Sequence, residues 1–364
     1  KGEVQMNATT IGVDLAKNVF VACVADGAGR VVETREFNRA GFLAWLATLP
    51  QGTVVAMEAC GGAHCWGRTM AALGLEPRLM AAEFVRAYRK RQAVKNDRAD
   101  AAAIVAALHA PGMRFIPVKT EAQQQRLAWH SLRLGWIEER TALLNRIRGL
   151  LAEFGMVVET GATRLRRWLA EHEFDTAQPA PIRLLIQNVR DQLDALDLRI
   201  AECDRQIAAQ HANDAAARRA RELPGVGLLT ADAVSASVGD ATQFHNGRQF
   251  AAWLGLTPSQ YSSGGKPKLG RITRRGDDYL RTLLVQGARS VLAATLRKAR
   301  TAPDTLTRLQ QWIVSLNARV GYHKTLVAIA NKHARQLWAV LAKGEAYNPE
   351  AWRQWGEVAE QAAA

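Results

Sequence analysis

The chain has 364 residues, of which 48% are hydrophobic, and its 48 Lys and Arg against 34 Asp and Glu give a net charge of +14. This length can bury a sizeable core in two or three domains, and the positive charge favours a nucleic-acid partner through counterion release. No apolar run approaches the roughly 20 residues that span a membrane, so no membrane partner is expected and the cytoplasm is the expected compartment. We expect residues 1–5 to be additional sequence before a natural start at Met6.

The first third of the chain alternates in a way typical of a sheet flanked by helices. Strands are predicted at residues 9–14, 19–25, 31–37, 53–58 and 78–80, and helices at 41–49 and 63–73. Three strands, helix, strand, helix and strand is the order of the ribonuclease-H fold. Asp14 and Glu58, which end the first and fourth strands, are therefore expected to be neighbours in space.

Two further acids, Asp97 and Asp100, fall in an alanine-rich stretch that predicts a helix. Their separation of three residues places both carboxylates on one helix face, where like charges destabilise the helix unless a cation binds them. Four such acids in a basic chain indicate a site for Mg²⁺ or Mn²⁺ between protein and phosphate. The alternative is a solvated helical face without a metal.

The four cysteines lack the paired short spacing of a zinc site and do not predict a disulfide framework. Cys60 and Cys65 cluster with His64 in the sequence. A metal role for this group is disfavoured because no fourth ligand is identifiable. Small buried packing residues at the start of a helix are the preferred interpretation.

The middle of the chain is predicted to be helical over residues 120–154 and 182–210. The second helix carries apolar residues that alternate by three and four, namely Ile186, Val189, Leu193, Leu196, Ile200, Cys203 and Ile207. This heptad seam favours a coiled coil, either within one chain or between protomers. An amphipathic core helix is the alternative.

The last third has two features typical of nucleic-acid binding. Residues 222–227 resemble a helix-hairpin-helix, in which Gly225 and Gly227 would let backbone N–H groups approach a phosphate; a simple turn between helices is the alternative. Residues 261–277 form a glycine-containing cationic loop suited to a nucleic-acid backbone. Its expected backbone contacts are Lys266, Lys268, Arg271, Arg274 and Arg275.

Several motifs, taken in order, resemble the DEDD-type transposases of insertion-sequence family one-ten, most closely the subgroup called eleven-eleven. The resemblance extends from Met6 to about Leu341. The motifs that carry it are Ile11 to Lys17, Met57 to Gly62, Asn96 to Ala101, Leu223 to Gly227, Trp253 to Pro258 and Ser262 to Lys266.

This resemblance implies an α/β plus α fold class with three parts. An N-terminal RuvC-like (RNase-H fold) DEDD catalytic domain would cover residues 6–155, and a coiled coil would cover residues 180–212. A mainly α-helical C-terminal transposase domain with the helix-hairpin-helix and a catalytic serine would cover residues 218–345.

The resemblance also implies the activity, which is RNA-guided recombination of donor and target double-stranded DNA. Asp14, Glu58, Asp97 and Asp100 would bind Mg²⁺, and Ser263 would attack DNA and form a covalent phosphoserine link. A non-coding guide RNA encoded by the element would pair with both DNAs. The protein would work as a homo-oligomer, a dimer that assembles to a tetramer.

Three alternatives are open. The first is a RuvC-like, metal-dependent, structure-specific nuclease that uses water as the nucleophile. The second is an actin-like kinase or ATPase, which is disfavoured because no duplicate domain with a second phosphate loop is found. The third is a non-catalytic nucleic-acid-binding protein, for which the charge alone would suffice.

Overall fold

The computed structural model describes residues 9–89, 97–172, 179–262, 266 and 268–349. The chain divides into two compact units, of which the first ends at Gln124 and the second begins at Gln125. The fold is mixed α/β in the first unit and mostly helical in the second. Among the described residues, no helix is both long and apolar enough to cross a membrane.

The first unit is built on a six-stranded sheet with the order β3-β2-β1-β4-β5-β6. Strand β1 pairs antiparallel with β2 and parallel with β4, and β4 pairs parallel with β5. The strands are β1 (Thr10–Leu15), β2 (Val19–Ala25), β3 (Val31–Asn38), β4 (Val54–Glu58), β5 (Glu76–Met80) and β6 (Phe115–Ile116). The helices are α1 (Arg39–Leu46), α2 (Ala63–Ala72), α3 (Ala82–Val85) and α4 (Asp97–Leu108), with a 3₁₀ helix at Arg86–Tyr88. The predicted succession of strands and helices up to β5 is confirmed.

Helix α4 lies directly over β1 because Gly12 leaves room for it. A Cβ at Gly12 would come within 2.7 Å of both the Ala101 carbonyl oxygen and the Val105 side chain. Ala101 and Val105 pack with Val21 on this side of the sheet. The close approach brings the first turn of α4 to the end of β1.

The second unit takes up most of helix α5 (Glu121–Glu153) and everything after it. Its further helices are α6 (Ala162–Glu171), α7 (Ala180–Ala212), α8 (Ala215–Ala220), α9 (Leu228–Val238), α10 (Gly247–Trp253), α11 (Asp278–Thr301), α12 (Arg308–Val320) and α13 (Tyr322–Lys343). A short antiparallel pair, β7 (Pro258–Gln260) and β8 (Leu269–Ile272), interrupts the helices. The stretch predicted as a flexible cationic loop therefore contains a strand, and that part of the prediction is wrong.

The apolar seam of α7 packs inside the chain. All seam residues are buried except Val189, which is partly buried. Ile186 and Leu193 share a core cluster with Leu144, Ile147 and Leu151 of α5. Ion pairs between Arg140 and Asp197 (2.8 Å) and between Arg133 and Asp204 (2.6 Å) join the same two helices. For the seam itself, the contacts thus favour packing within one chain.

Leu193→Ala is expected to lower the free energy of unfolding by about 2–5 kcal/mol, since it opens a cavity in the cluster shared by α5 and α7. The mass of the assembly, measured by light scattering, should not change. Leu198→Ala, on the same helix but 70% exposed, is the matched control and should cost less than about 0.5 kcal/mol. A loss of mass in Leu193→Ala with unchanged stability would instead place the seam between protomers.

Candidate active site

The parallel pairing of β1 with β4 brings two of the predicted acids together. Val13 is the register partner of Met57, so Asp14 and Glu58 follow at the same edge of the sheet. Asp97 and Asp100 lie in the first turn of α4, which packs over β1. Asp100 is buried, whereas Asp97 is exposed. The structure thus gathers the four acids at one end of the first unit.

Asp14 is partly buried, and the other three acids act on its carboxylate. Burial, followed by the negative charges of Asp100, Asp97 and Glu58 in that order, raises the pKa of Asp14 from 3.8 to about 6. The Arg89 guanidinium acts in the opposite direction and lowers the pKa. The four acids therefore interact as one electrostatic cluster.

Arg89 is the residue of this site that the sequence analysis missed. Its Nη2 atom lies 2.6 Å from Oε1 of Glu58, and its Nε atom lies 3.2 Å from Oδ1 of Asp100. Nothing in the sequence distinguishes Arg89 from the other basic residues between α3 and α4. Arg89 can pair with both acids only because β4 and α4 lie side by side in the folded chain.

The donor chemistry of the cluster fits a hard divalent cation, because all four side chains offer carboxylate oxygens. The arrangement is not a preformed ligand shell, however. In the described part of the chain, no group of three or more His, Cys, Asp or Glu residues is placed to hold a metal ion. Glu58 and Asp100 are instead neutralised by Arg89.

Among the described residues, Cys60, His64 and Cys65 are not placed as a group that could hold a metal ion. Nδ1 of His64 accepts a hydrogen bond from the Lys119 backbone N–H at 3.1 Å, and burial lowers the pKa of His64 to about 4. Cys60 and Cys65 are exposed, so the expectation that they are buried packing residues is wrong. Cys60 nevertheless lies close to the acids. Burial of its thiol makes the largest contribution to raising the pKa of that thiol, and the negative charges of Glu58 and then Asp14 also raise it.

The predicted nucleophile, Ser263, lies outside the described residues, as do its neighbours Gly264 and Gly265. The neighbouring Ser262 is described, and its Oγ accepts a hydrogen bond from the Lys268 N–H at 3.0 Å. The five basic residues predicted to contact a nucleic-acid backbone are all exposed: Lys266, Lys268, Arg271, Arg274 and Arg275. Exposure places these five side chains at the protein surface.

A buried arginine, which the sequence analysis also missed, supports the segment that carries Arg274 and Arg275. Nη1 of Arg281 donates hydrogen bonds to the carbonyl oxygens of Leu254 (2.9 Å) and Arg275 (3.1 Å). Gly276, at φ 81°, passes so close to Trp253 that a Cβ would lie 2.0 Å from the Trp253 carbonyl oxygen. These contacts hold the cationic segment against the end of α10.

The two glycines of the predicted helix-hairpin-helix differ in their surroundings. Gly225, at φ 80°, packs against α11, where a Cβ would lie 2.8 Å from the Gly287 carbonyl oxygen. A side chain at position 225 would therefore clash with α11, so packing alone explains the glycine. Gly227 has open space around it and precedes the first residue of α9, Leu228. Of the two, only Gly227 leaves its surroundings open to a ligand.

The positive charge of the chain is concentrated in its last part. Residues 214–364 contain 21 Lys and Arg against 11 Asp and Glu, whereas residues 125–213 contain 12 of each kind. The cationic loop (residues 261–277) and helices α11–α13 lie within residues 214–364. Phosphate binding is therefore favoured there over the long helices α5 to α7.

Two transposase profiles match this chain. The DEDD-type transposase profile of the IS110 family matches residues 11–156, and the profile described as Transposase IS116/IS110/IS902 family matches residues 217–302. The acidic cluster thus belongs to a DEDD transposase domain, and the protein is a DNA transposase. The chain belongs to the IS110 family, as its motifs predicted.

Similar proteins agree with this assignment. A probable family 20 transposase of Pseudomonas aeruginosa is 43% identical over 94% of this chain and 100% of its own length. The transposase for insertion sequence element IS1111A of Coxiella burnetii is 40% identical over 93% of this chain and 90% of its own. The transposase for element IS1328 of Yersinia enterocolitica is 34% identical over 94% and 99%. The similarity to the IS1111A protein supports the predicted subgroup.

Proposed function

We propose that this transposase is an RNA-guided DNA recombinase that cleaves and exchanges strands of donor and target DNA through a covalent phosphoserine intermediate at Ser263. The observation that carries the proposal is geometric: β1 and β4 bring Asp14 and Glu58 to one edge of the sheet, and Arg89 joins Glu58 to Asp100. Membership of the IS110 family supports the DNA substrates. The guide RNA and the dimer-to-tetramer assembly rest on the family resemblance.

We further propose the domain organisation that the resemblance implied. A RuvC-like catalytic domain would span residues 6–155, the coiled coil residues 180–212 and the C-terminal transposase domain residues 218–345. The strand order β3-β2-β1-β4-β5, with the first three strands antiparallel and β4 and β5 parallel to β1, supports the first assignment. The buried seam of α7 supports the second.

Transposase domains of the DEDD type are generally metal-dependent. Asp14, Glu58, Asp97 and Asp100 would hold the metal, which we propose to be Mg²⁺, with Mn²⁺ as a substitute. When bound, the metal supplies positive charge that neutralises the phosphate and favours loss of a proton from a hydroxyl group. The carboxylates would hold this charge near the end of β1.

The serine step conserves the phosphodiester bond energy. The Ser263 Oγ forms a bond to phosphorus as the bond from phosphorus to the departing sugar oxygen breaks, and the serine proton is balanced by one taken up by that oxygen. Reversal of the step on another strand restores the serine. Lys266, Arg271, Arg274 and Arg275 would hold the phosphate and balance its charge.

Ser263→Ala is expected to abolish strand exchange, because no hydroxyl is left to form the phosphoserine. The protein, its guide RNA, labelled donor and target DNA and Mg²⁺ are mixed, and protein-linked DNA is sought on a denaturing gel. Ser262→Ala is the matched control and should keep the adduct. Clean DNA cutting with no adduct in the unaltered protein would favour a nuclease that uses water.

Arg89→Met is expected to tighten the binding of Mn²⁺ by about three- to tenfold, since it removes a cation that competes for Glu58 and Asp100. The measurement is a titration followed by the electron paramagnetic resonance of free Mn²⁺, so it needs no catalysis. Arg78→Met, which removes a cation paired with Glu76 on β5, is the control. Weaker Mn²⁺ binding in Arg89→Met would mean that Arg89 organises the acids for the metal instead.

A further inference from the structure

A second concave site lies in the first unit, outside the acidic cluster. Its volume is about 380 Å³, at the lower end of the range of roughly 300–1,000 Å³ found for small-ligand pockets. One wall is formed by Phe84 and Tyr88, from α3 and the following 3₁₀ helix, and the other by residues 110–114, after α4. Neither the DEDD chemistry nor the cationic segment uses it.

The chemistry of the walls suits a flat aromatic group. Phe84 and Tyr88 are 39% and 40% exposed, respectively, although large aromatic side chains are usually buried. Arg114 lines the same pocket and is exposed. Aromatic rings and guanidinium planes are the groups on which proteins stack unpaired bases.

The pocket has a firm base. Val85, between the two aromatic residues, is fully buried in a cluster with Met80 and Ile104, against which Met113 also packs. The exposed rings are therefore carried on a backbone that the core of the first unit holds in place. A site of this kind needs little ordering before a ligand binds.

The pocket also lies close to the acids. Tyr88 is followed directly by Arg89, which contacts Glu58 and Asp100. Asp100 and Ala110 are ten residues apart on and just after α4, which corresponds to roughly 15 Å at 1.5 Å per residue. A strand whose phosphate is at the acids can therefore place a nearby nucleotide at the pocket.

We propose that the pocket lined by Phe84, Tyr88 and Arg114 binds one unpaired nucleobase of a DNA or RNA strand that passes the acidic cluster. A paired base is excluded because its faces are covered by its neighbours in the duplex. Unpaired bases arise whenever strands are exchanged, so the inference rests on the proposed function for its ligand.

The test measures binding of the full chain to a fluorescent single-stranded DNA, to a single-stranded RNA of the same sequence and to the matching DNA duplex by anisotropy in EDTA, so the first two probes separate the two sources of an unpaired base. The double variant Phe84→Ala, Tyr88→Ala should bind the single strand about five- to 100-fold more weakly, the effect of losing the stacking of one base. Binding to the duplex should change by less than about twofold, since most of it is electrostatic. Equal losses for single strand and duplex, or no loss for either, would overturn the proposal; the second result would leave a protein partner as the candidate occupant.

Conservative variants separate stacking from packing. Tyr88→Phe keeps the ring and should bind the single strand as the unaltered protein does, whereas Tyr88→Leu keeps apolar volume without the ring and should bind it more weakly. Leu43→Ala, which removes another exposed apolar side chain of the first unit, should have no effect.

An oligonucleotide carrying 5-iodouracil should crosslink to Tyr88 under ultraviolet light. Because neither assay uses Ser263 or metal, failure of the serine mechanism would not alter these results.

Discussion

Asp14→Asn is expected to abolish strand exchange and, at the same time, to stabilise the metal-free protein by about 1–2 kcal/mol at pH 7.5. Catalysis is lost because the amide removes a charged ligand from the proposed metal site. Stability rises because the folded state holds the Asp14 carboxylate at a pKa raised from 3.8 to about 6 by burial and by the acids around it. A shift of that size corresponds to roughly 3 kcal/mol at most, which is reduced because Asp14 is only partly buried.

The pH dependence gives the sign of this effect. The pKa of Asp14 is higher in the folded than in the unfolded chain. The contribution of Asp14 to the free energy of unfolding is therefore fully present below about pH 3.8 and is lost as the pH rises through about 6. The advantage of Asp14→Asn should therefore be absent near pH 4, grow as the pH rises towards 6 and be complete above pH 6. Urea unfolding in EDTA at pH 4.5, 6 and 7.5 measures it.

Asp26→Asn is the control of opposite sign. Asp26 accepts hydrogen bonds from the backbone N–H groups of Ala28 and Arg30, which lower its pKa, so its loss should destabilise the β2–β3 hairpin. If Asp14→Asn were no more stable than the unaltered chain at pH 7.5, the acids would not interact as a cluster. If it exchanged strands at the normal rate, Asp14 would have no role in catalysis.

Asp232→Ala is expected to destabilise the second unit by about 3–5 kcal/mol. Asp232 is fully buried on α9, where its carboxylate lies 2.6 Å from Nη2 of Arg126 and 3.0 Å from Nε2 of His130. The other ring nitrogen of His130 is hydrogen-bonded to the Tyr279 hydroxyl of α11. Without the Asp232 carboxylate, the positive charge of Arg126 stays buried with less negative charge beside it. Removal of one partner from a buried ion pair in this way is strongly destabilising.

The matched control for Asp232→Ala is Asp204→Ala. Asp204 also pairs with an arginine of α5, Arg133, but its side chain is 45% exposed, so its loss should cost at most about 1 kcal/mol. Hydrogen exchange of α9 and α11 amides, together with denaturant unfolding, measures both variants. A cost below about 1 kcal/mol for Asp232→Ala would mean that Asp214, the other acid on Arg126, is sufficient to neutralise it.

Periodic patterns explain most of what could be predicted about the fold. Strands β1, β2 and β4 are short apolar runs bounded by turn residues, and such local patterns do not depend on distant parts of the chain. The seam of α7 was predictable for the same reason. The β7–β8 pair was missed because its two strands are only three and four residues long, and pairing across a loop leaves little periodic signal.

In the candidate site too, local patterns were predictable from the sequence and contacts between distant residues were not. Strand order and the helical repeat were enough to predict that Asp14 and Glu58 lie near the ends of neighbouring strands and that Asp97 and Asp100 share a helix face. Three contacts could be recognised only in the folded chain: the pairing of Arg89 with Glu58 and Asp100, the hydrogen bond from Arg281 to the Arg275 backbone, and the burial of Asp232 with Arg126. Each of these contacts joins residues that are distant along the chain or separated by an irregular segment. The strength of such an ion pair depends on burial and distance, which a one-dimensional pattern does not contain.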